Sequence, residues 1–395
     1  MNIKTILAVA ISSSMAFSSV GFTEDTVSDA SQYPDSSYSD NLSGWKAMIT
    51  NANPVETLES GRWFDAAPVP RPFKEGKNVP FSDEIKAQLQ ANTTDAVLVV
   101  KDGAITGEYF RYGFDIDDIH LVHSAGKAFT SFAIQPIYDD IGDEGLNRKL
   151  SEYLPKLKGK YFGEATLAQA LDMQVGMEWS ENYEDPTTAT MLSGPVGGWD
   201  PLVEEYGPES WYERMFDFPK YDDHGKTWIY SSASVISASF AAEAIAGKHY
   251  SDLVQASYNR LGFEDASWYV TNQFNELSAE GGQALTIRDA AKIGRYMLET
   301  KDSTYVSDVW NMNGDINNPA DALHMKKYPF SKGYKNYWYK LSDDVILALG
   351  SSGQFIYVDK AKNLVIVKFS SFVKGQSPEE FTDGFEVLHN IAEQY

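Results

Sequence analysis

The 395-residue chain contains no cysteine. Disulfides, a thiolate nucleophile, Cys-based zinc or iron–sulfur centres and a cysteine-linked lipid anchor are thereby excluded. Basic residues are also scarce. Lys and Arg number 33 against 56 Asp and Glu, for a formal net charge of −23. Nucleic-acid binding needs a basic footprint that this chain lacks, and an anionic membrane surface would repel it. The six histidines lie scattered at 120, 123, 224, 249, 324 and 389. His120 and His123 have part of a helical metal-ligand spacing but no Glu beside the first, so no metal site and no cofactor are expected. There is no Gly-x-Ser-x-Gly nucleophile elbow and no P-loop, which argues against an α/β-hydrolase or a kinase. Aromatic residues are plentiful, with 21 Phe, 23 Tyr and 9 Trp. They suffice for a sizeable core, and the length suits two domains or one large composite one.

The first residues read as an export signal. Lys4 supplies a positive start, Thr5 to Phe17 is mostly apolar, and small residues follow at Ser18, Ser19 and Gly21. Residues 1–21 are therefore expected to be a signal peptide and the protein to be exported, periplasmic or secreted. Residues 22–44, rich in Ser, Asp and Tyr, are expected to form a flexible acidic leader before a folded domain over 45–395. No later apolar run approaches the roughly 18 residues of a membrane span. The oligomeric state is not legible.

In the folded part, Ala96 to Lys101 is a β-branched apolar run, Asp102-Gly103 is a hairpin turn, and Ala104 to Tyr112 continues as a second strand. Small and apolar residues at helical spacing over Ser124 to Tyr138 predict a buried helix. Further helices are predicted at Leu167–Met173, Ser232–Ala246 and Thr286–Leu298, the last with Thr286 and Asp289 placed as a capping box. Three strands follow, at Asp344–Leu349, Phe355–Val358 and Leu364–Phe369, then a helix over about 378–393. Strands near both chain ends and helices between them predict an α+β fold. An antiparallel sheet would be built from both ends, with flanking helices and a helical insertion over about 150–340.

A serine nucleophile needs a base, because a free hydroxyl is almost wholly protonated at neutral pH. A Lys three residues along a helix shares the Ser's face, and burial can lower its pKa into the working range. Ser-x-x-Lys occurs at Ser43/Lys46, Ser124/Lys127 and Ser371/Lys374. Only Ser124 opens a buried helix directly after strands, where free N–H groups and the dipole favour a developing oxyanion. The plain alternative is a helix cap with a solvated Lys. Tyr230-Ser231-Ser232 precedes another apolar helix, and a Tyr hydroxyl near a Lys can relay protons to a leaving group. Tyr334-Lys335-Asn336 is a competing pattern in a strand-like, Tyr-rich setting, so Tyr230 is preferred. Between two strands, Gly350-Ser351-Ser352-Gly353-Gln354 would let backbone approach a ligand closely, or would simply be a turn. Trp199, Trp211, Trp228 and Trp338 would line an aliphatic cleft or fill the core.

Together these residues resemble the serine β-lactamase/penicillin-binding-protein superfamily, in its class C-like branch. The marks of that branch are a Ser-x-x-Lys helix, a Tyr-x-Ser or Tyr-x-Asn loop and a Lys-Thr-Gly-like strand. Met177-Glu178-Trp179-Ser180-Glu181-Asn182-Tyr183-Glu184-Asp185-Pro186 is similar to a loop of the 6-aminohexanoate-dimer (nylon-oligomer) hydrolases. Gly281-Gly282 running into Ile287-Arg288-Asp289-Ala290-Ala291, and Gly353-Gln354-Phe355-Ile356-Tyr357-Val358, are also similar to segments of the family. The resemblance spans roughly residues 75–394. It implies a β-lactamase/transpeptidase-like fold with Ser124 as acylated nucleophile and Lys127 as base, shared with Tyr230, which protonates the leaving group. It further implies that Tyr183 hydrogen-bonds the leaving nitrogen and that Ser352, Gly353 and Gln354 form the substrate-binding edge. The N–H groups of Ser124 and Gln354 would make the oxyanion hole.

Two departures bear on substrate. The third motif carries no cation, so an anionic β-lactam loses a charge-assisted contact of about 1.5–3 kcal/mol. Ser352 stands where related hydrolases commonly have Gly, which puts the pocket width in question. The expected function is hydrolysis of short carboxylic esters and linear amides through an acyl-enzyme on Ser124. The alternatives are a penicillin-recognising sensor with little turnover, and a D-alanyl carboxypeptidase or β-lactamase, whose anionic substrates the missing cation disfavours.

Overall fold

The structure is a computed structural model that describes residues 51–58, 60–183, 187–199, 211, 218–312, 331–372 and 377–395. The signal peptide, the leader, Ser43/Lys46, Lys374 and Glu184 to Pro186 lie outside the described residues.

Among the described residues, twelve strands form two sheets. They are β1 (Gly61–Phe64), β2 (Lys74–Glu75), β3 (Thr94–Lys101), β4 (Ala104–Phe110), β5 (Ile119–Leu121), β6 (Ser267–Val270), β7 (Gln283–Thr286), β8 (Gly333–Lys335), β9 (Trp338–Lys340), β10 (Val345–Gly350), β11 (Gln354–Asp359) and β12 (Leu364–Ser370). The large sheet runs β2-β4-β3-β12-β11-β10-β9-β8. Asp102-Gly103 turns β3 into β4 as the sequence predicts, with both residues at positive φ. β3 then pairs antiparallel with β12, Val99 opposite Ile366, which joins the two ends of the chain. The short edge strand β2 departs from the antiparallel expectation by lying parallel to β4. A second, four-stranded sheet runs β1-β6-β7-β5. Its β6 and β7 come from the interval expected to be helical, so that interval is not an all-helical insertion.

The helix expected after the first strands is α1 (Gly126–Leu146). Every residue from Gly126 to Gln135 is buried, so this half of the helix is enclosed on all sides rather than amphipathic. Pro136 lies inside it and supplies no N–H to the carbonyl of Phe132. Arg260 donates to that carbonyl instead, at 2.7 Å, and its guanidinium stacks on the Phe132 ring.

Two more helices set the site. α2 (Ser232–Ala246) is capped by Ser231, whose hydroxyl accepts from Ser234 N–H, and ends at the left-handed Gly247. α3 (Ile287–Glu299) is capped by Thr286, but only half of the expected capping box forms. The Asp289 carboxylate instead accepts from the N–H groups of Glu264 and Asp265 and pairs with the buried Lys292. α3 lies on the large sheet at Gly294, where a Cβ would stand 2.6 Å from Val365. The final helix is Pro378–Gln394.

Candidate active site

The turn that carries Ser124, the candidate nucleophile, is built between a strand and a helix. β5 pairs with β7, Leu121 opposite Ala284, and ends there. A single 3-10 turn, His123–Ala125, then leads into α1. His123 has φ +46, a left-handed conformation in which a side chain is strained. Ser124 follows it directly. Gly281 packs behind the turn, where a Cβ would stand 2.8 Å from His123 C and 3.2 Å from Ser124 N. The close approach explains the need for glycine there.

Lys127, one turn into the helix, is buried, and its Nζ lies 2.8 Å from Ser124 Oγ. It also donates to the carbonyl of Glu280 at 2.7 Å and stands 4.8 Å over the ring of Tyr230. Burial pushes the Lys127 ammonium down to about 8, against the opposing pull of Glu181 and Glu280. The Tyr230 hydroxyl hydrogen-bonds Ser124, and burial together with the charge of Glu181 raises it above the usual tyrosine range. Tyr230 therefore keeps its proton while Lys127 is poised to accept one. Tyr334, the competitor, packs edge-on against Trp228 within the core and does not reach Ser124. Ser371, the other described Ser of a Ser-x-x-Lys pattern, is buried and donates to Asp95 at 2.6 Å.

The cleft above Ser124 is lined by Tyr183, Thr190, Met191, Trp199, Trp211, Ser232, Glu280, Gly281 and Ser351, among others. Of the four tryptophans singled out from the sequence, Trp199 and Trp211 line it, whereas Trp228 and Trp338 are core. Trp199 stacks on His123, which burial holds neutral by pushing its pKa down to about 3. Tyr183 lies at the cleft with its hydroxyl donating to Glu181 at 2.7 Å. Glu181 also accepts from Trp179 Nε1, Thr190 Oγ1 and Ser232 N–H. That last bond ties the Tyr183 loop to the start of α2.

The third motif is placed differently from expectation. Ser351 lines the cleft; Ser352, Gly353 and Gln354 stand behind its wall. Ser352 is buried in a left-handed conformation, so its side chain does not narrow the cleft. A Cβ on Gly353 would stand 2.2 Å from the Phe372 ring. Gln354 pairs with Gly350 in the β10–β11 ladder, and its side chain donates to the carbonyls of Ser351, Ser352 and Ser370. The close approach to the nucleophile is made by Gly350, where a Cβ would stand 2.5 Å from Val122 O and 2.9 Å from Ala125 N. Ser351 is thus the third-motif residue set beside Ser124. Gly and Ser recur in that stretch, and the sequence pattern alone does not tell which Ser faces the cleft.

Glu181 and Glu280 are further residues the sequence did not single out as functional, although each adjoins or lies in a quoted motif. Glu280 Oε1 accepts from Trp199 Nε1 at 2.8 Å and from the Ser278 hydroxyl at 2.5 Å. Its Oε2 is buried with no hydrogen-bond partner among the described residues. Burial raises the Glu280 carboxyl, and the two donated hydrogen bonds oppose this. Among the described residues lining the cleft, no Lys or Arg is present.

Residues 82–389 match the family model described as beta-lactamase. The chain is 26% identical over 298 residues to 6-aminohexanoate-dimer hydrolase of Paenarthrobacter ureafaciens, covering 73% of this chain and 75% of that one. A Bacillus anthracis structure, provisionally described as a 6-aminohexanoate-dimer hydrolase, superposes with a TM-score of 0.73 at 21% identity, covering 90% of this chain and 96% of that one. EstCE1, a hydrolase with promiscuous acyltransferase activity, superposes with a TM-score of 0.57 at 10% identity, over 77% and 98% of the two chains.

Proposed function

The chain belongs to the beta-lactamase family, and from that premise we propose that it is a serine hydrolase of short carboxylic esters and linear amides, 6-aminohexanoate oligomers among them. The observation that carries this reading is the contact of Ser124 Oγ with Lys127 Nζ and the Tyr230 hydroxyl at the floor of a cleft whose described lining holds no Lys or Arg. The similarity to 6-aminohexanoate-dimer hydrolase supports the substrate class.

In this mechanism neutral Lys127 takes the Ser124 proton as Oγ attacks the carbonyl carbon. The N–H groups of Ser124 and Ser351, brought together by the close approach of Gly350, receive the oxyanion. Tyr230 delivers its proton to the departing oxygen or nitrogen and is reprotonated through Lys127. Water then attacks the acyl-enzyme by the reverse relay, which frees the acid and regenerates Ser124. Amide cleavage depends more on this relay, because nitrogen leaves only when protonated. Tyr183, on the cleft side of Glu181, is the residue to hold that nitrogen.

A β-lactam, like a D-alanyl peptide, carries a carboxylate on the carbon next to the scissile nitrogen, whereas a 6-aminohexanoate unit sets its carboxylate five methylenes away. Near Ser124 the described lining of the cleft offers Glu280 and no Lys or Arg to such a neighbouring carboxylate, so neither is the proposed substrate. We further propose export, with residues 1–21 removed.

The test follows p-nitrophenyl acetate hydrolysis and intact mass together, beside Ser124→Ala. Steady release with a transient acetyl adduct, both lost in the variant, is the expected result. A lasting adduct without turnover would favour the sensor reading. Equal release by both proteins, without adduct, would overturn the mechanism.

A further inference from the structure

The two N–H groups assigned to the oxyanion come from separate segments, the turn His123–Ala125 and the turn after β10. Their separation must be held from behind. Asn51, from the segment preceding β1, is fully buried there. Its Oδ1 accepts from His123 Nε2–H at 2.8 Å, on the strained residue next to the nucleophile. Its Nδ2 reaches the Ser370 carbonyl at 3.4 Å and Ser371 Oγ at 3.3 Å, at the end of β12. The amide orientation is determined by its partners: Ser370 offers a carbonyl, and the Ser371 hydroxyl spends its proton on Asp95.

The end of β12 is in turn bonded to the Ser351–Gly353 turn. Gln354 Nε2 donates both to Ser370 O, at 2.6 Å, and to the carbonyls of Ser351 and Ser352. Phe372 N–H donates to Ser352 O at 3.2 Å. One carboxamide thus ties the His123–Ala125 turn to the end of β12, which holds the Ser351–Gly353 turn through Gln354 and Phe372.

Resting on the acyl-enzyme reading above, we infer that Asn51 is a positioning residue of the oxyanion hole, acting through His123 on one side and the end of β12 on the other. Nothing in Asn51 touches substrate. Its effect falls on the transition state, where the donors must converge on the oxygen, and a small misplacement there costs rate out of proportion to binding.

The test compares wild type, Asn51→Ala and Asn51→Asp. Active sites are counted by stoichiometric p-nitrophenol release from p-nitrophenyl methylphosphonate. Per titrated site, Asn51→Ala is expected to lower kcat on p-nitrophenyl acetate by about tenfold or more with KM within about twofold. Phenylboronic acid, which gives a tetrahedral adduct on the serine, is expected to bind more weakly in the same proportion. A merely structural role would lower the thermal midpoint and the number of titratable sites, while leaving kcat per site and boronate affinity unchanged. That result would overturn the inference.

Asn51→Asp keeps the acceptor for His123 and loses the donor to β12, and it serves if the Ala variant does not fold. Its carboxylate beside the buried imidazole is expected to add an ionisation to the pH–rate profile, with reduced kcat per site. A wild-type profile and kcat in Asn51→Asp would equally refute the assignment. Wild type with neither turnover nor phosphonylation would overturn the acyl-enzyme reading and this inference with it. Wild-type turnover matched by both variants would overturn this inference alone.

Discussion

In the proposed mechanism Lys127 must be neutral to take the Ser124 proton, so the pH dependence of activity is expected to report its environment directly. Burial pushes its pKa down to about 8, while Glu181 and Glu280 hold the ammonium form in place. Below that value each pH unit removes about nine-tenths of the base form, leaving roughly one enzyme in a hundred competent at pH 6. kcat/KM for p-nitrophenyl acetate is therefore expected to rise about tenfold per unit and to level near pH 8. No descending limb is expected below about pH 10, because burial raises Tyr230 above the usual tyrosine range and it keeps its proton. His123 adds nothing above pH 5, being pushed down to about 3. Glu280→Gln removes one of the two charges that favour the ammonium, so the midpoint should move to lower pH, with Glu181 still in place. The variant is nearly isosteric and keeps an acceptor for Trp199 Nε1 and the Ser278 hydroxyl. A flat profile between pH 6 and 9, or a midpoint moved upward by Glu280→Gln, would refute the assignment of Lys127 as base.

Three further outcomes are expected. Tyr183→Phe should reduce hydrolysis of a 6-aminohexanoate dimer more than that of p-nitrophenyl acetate; equal losses would remove Tyr183 from leaving-group recognition. Gly350→Ala should destabilise the protein by about 1–3 kcal/mol in urea unfolding, because its Cβ meets the backbone of the nucleophile turn rather than a side chain that can move. Activity should fall with it, and a variant of unchanged stability would mean that the approach is looser than described. The buried Lys368 donates to Asn92 Oδ1, and burial pushes it from 10.5 down to about 7. Between those values the unfolded chain binds the proton and the folded chain does not, so stability should rise with pH from about 7 toward 10.5. Lys368→Met should remove that component of the slope, as measured by urea unfolding at pH 7 and 9.

Much of this protein is written in local patterns. The Asp102-Gly103 hairpin, the helix Ser232–Ala246, the cap at Thr286 and the last three strands follow from turn chemistry, periodicity and β-branched runs within single short segments of the chain. Ser124 and Lys127 were legible for the same reason, since i and i+3 share a helix face whatever the rest of the chain does. What joins segments distant in sequence was decided by the tertiary structure. The small sheet built from β1, β5, β6 and β7 was not foreseen, because strands of three or four residues carry too little periodicity to stand out from the helices around them. That Ser351 and not Gln354 meets the cleft depends on how β10 approaches the nucleophile turn, and a one-residue difference in register exchanges the faces of a strand. Asn51 and Glu280 lie 73 residues before and 156 residues after Ser124. No pattern marks either of them, since their roles consist in hydrogen bonds and charges that arise only once segments distant in sequence meet beside Ser124 and Lys127. Local backbone preference selects the elements and the nucleophile; the convergence of remote backbone and buried charge makes them a site.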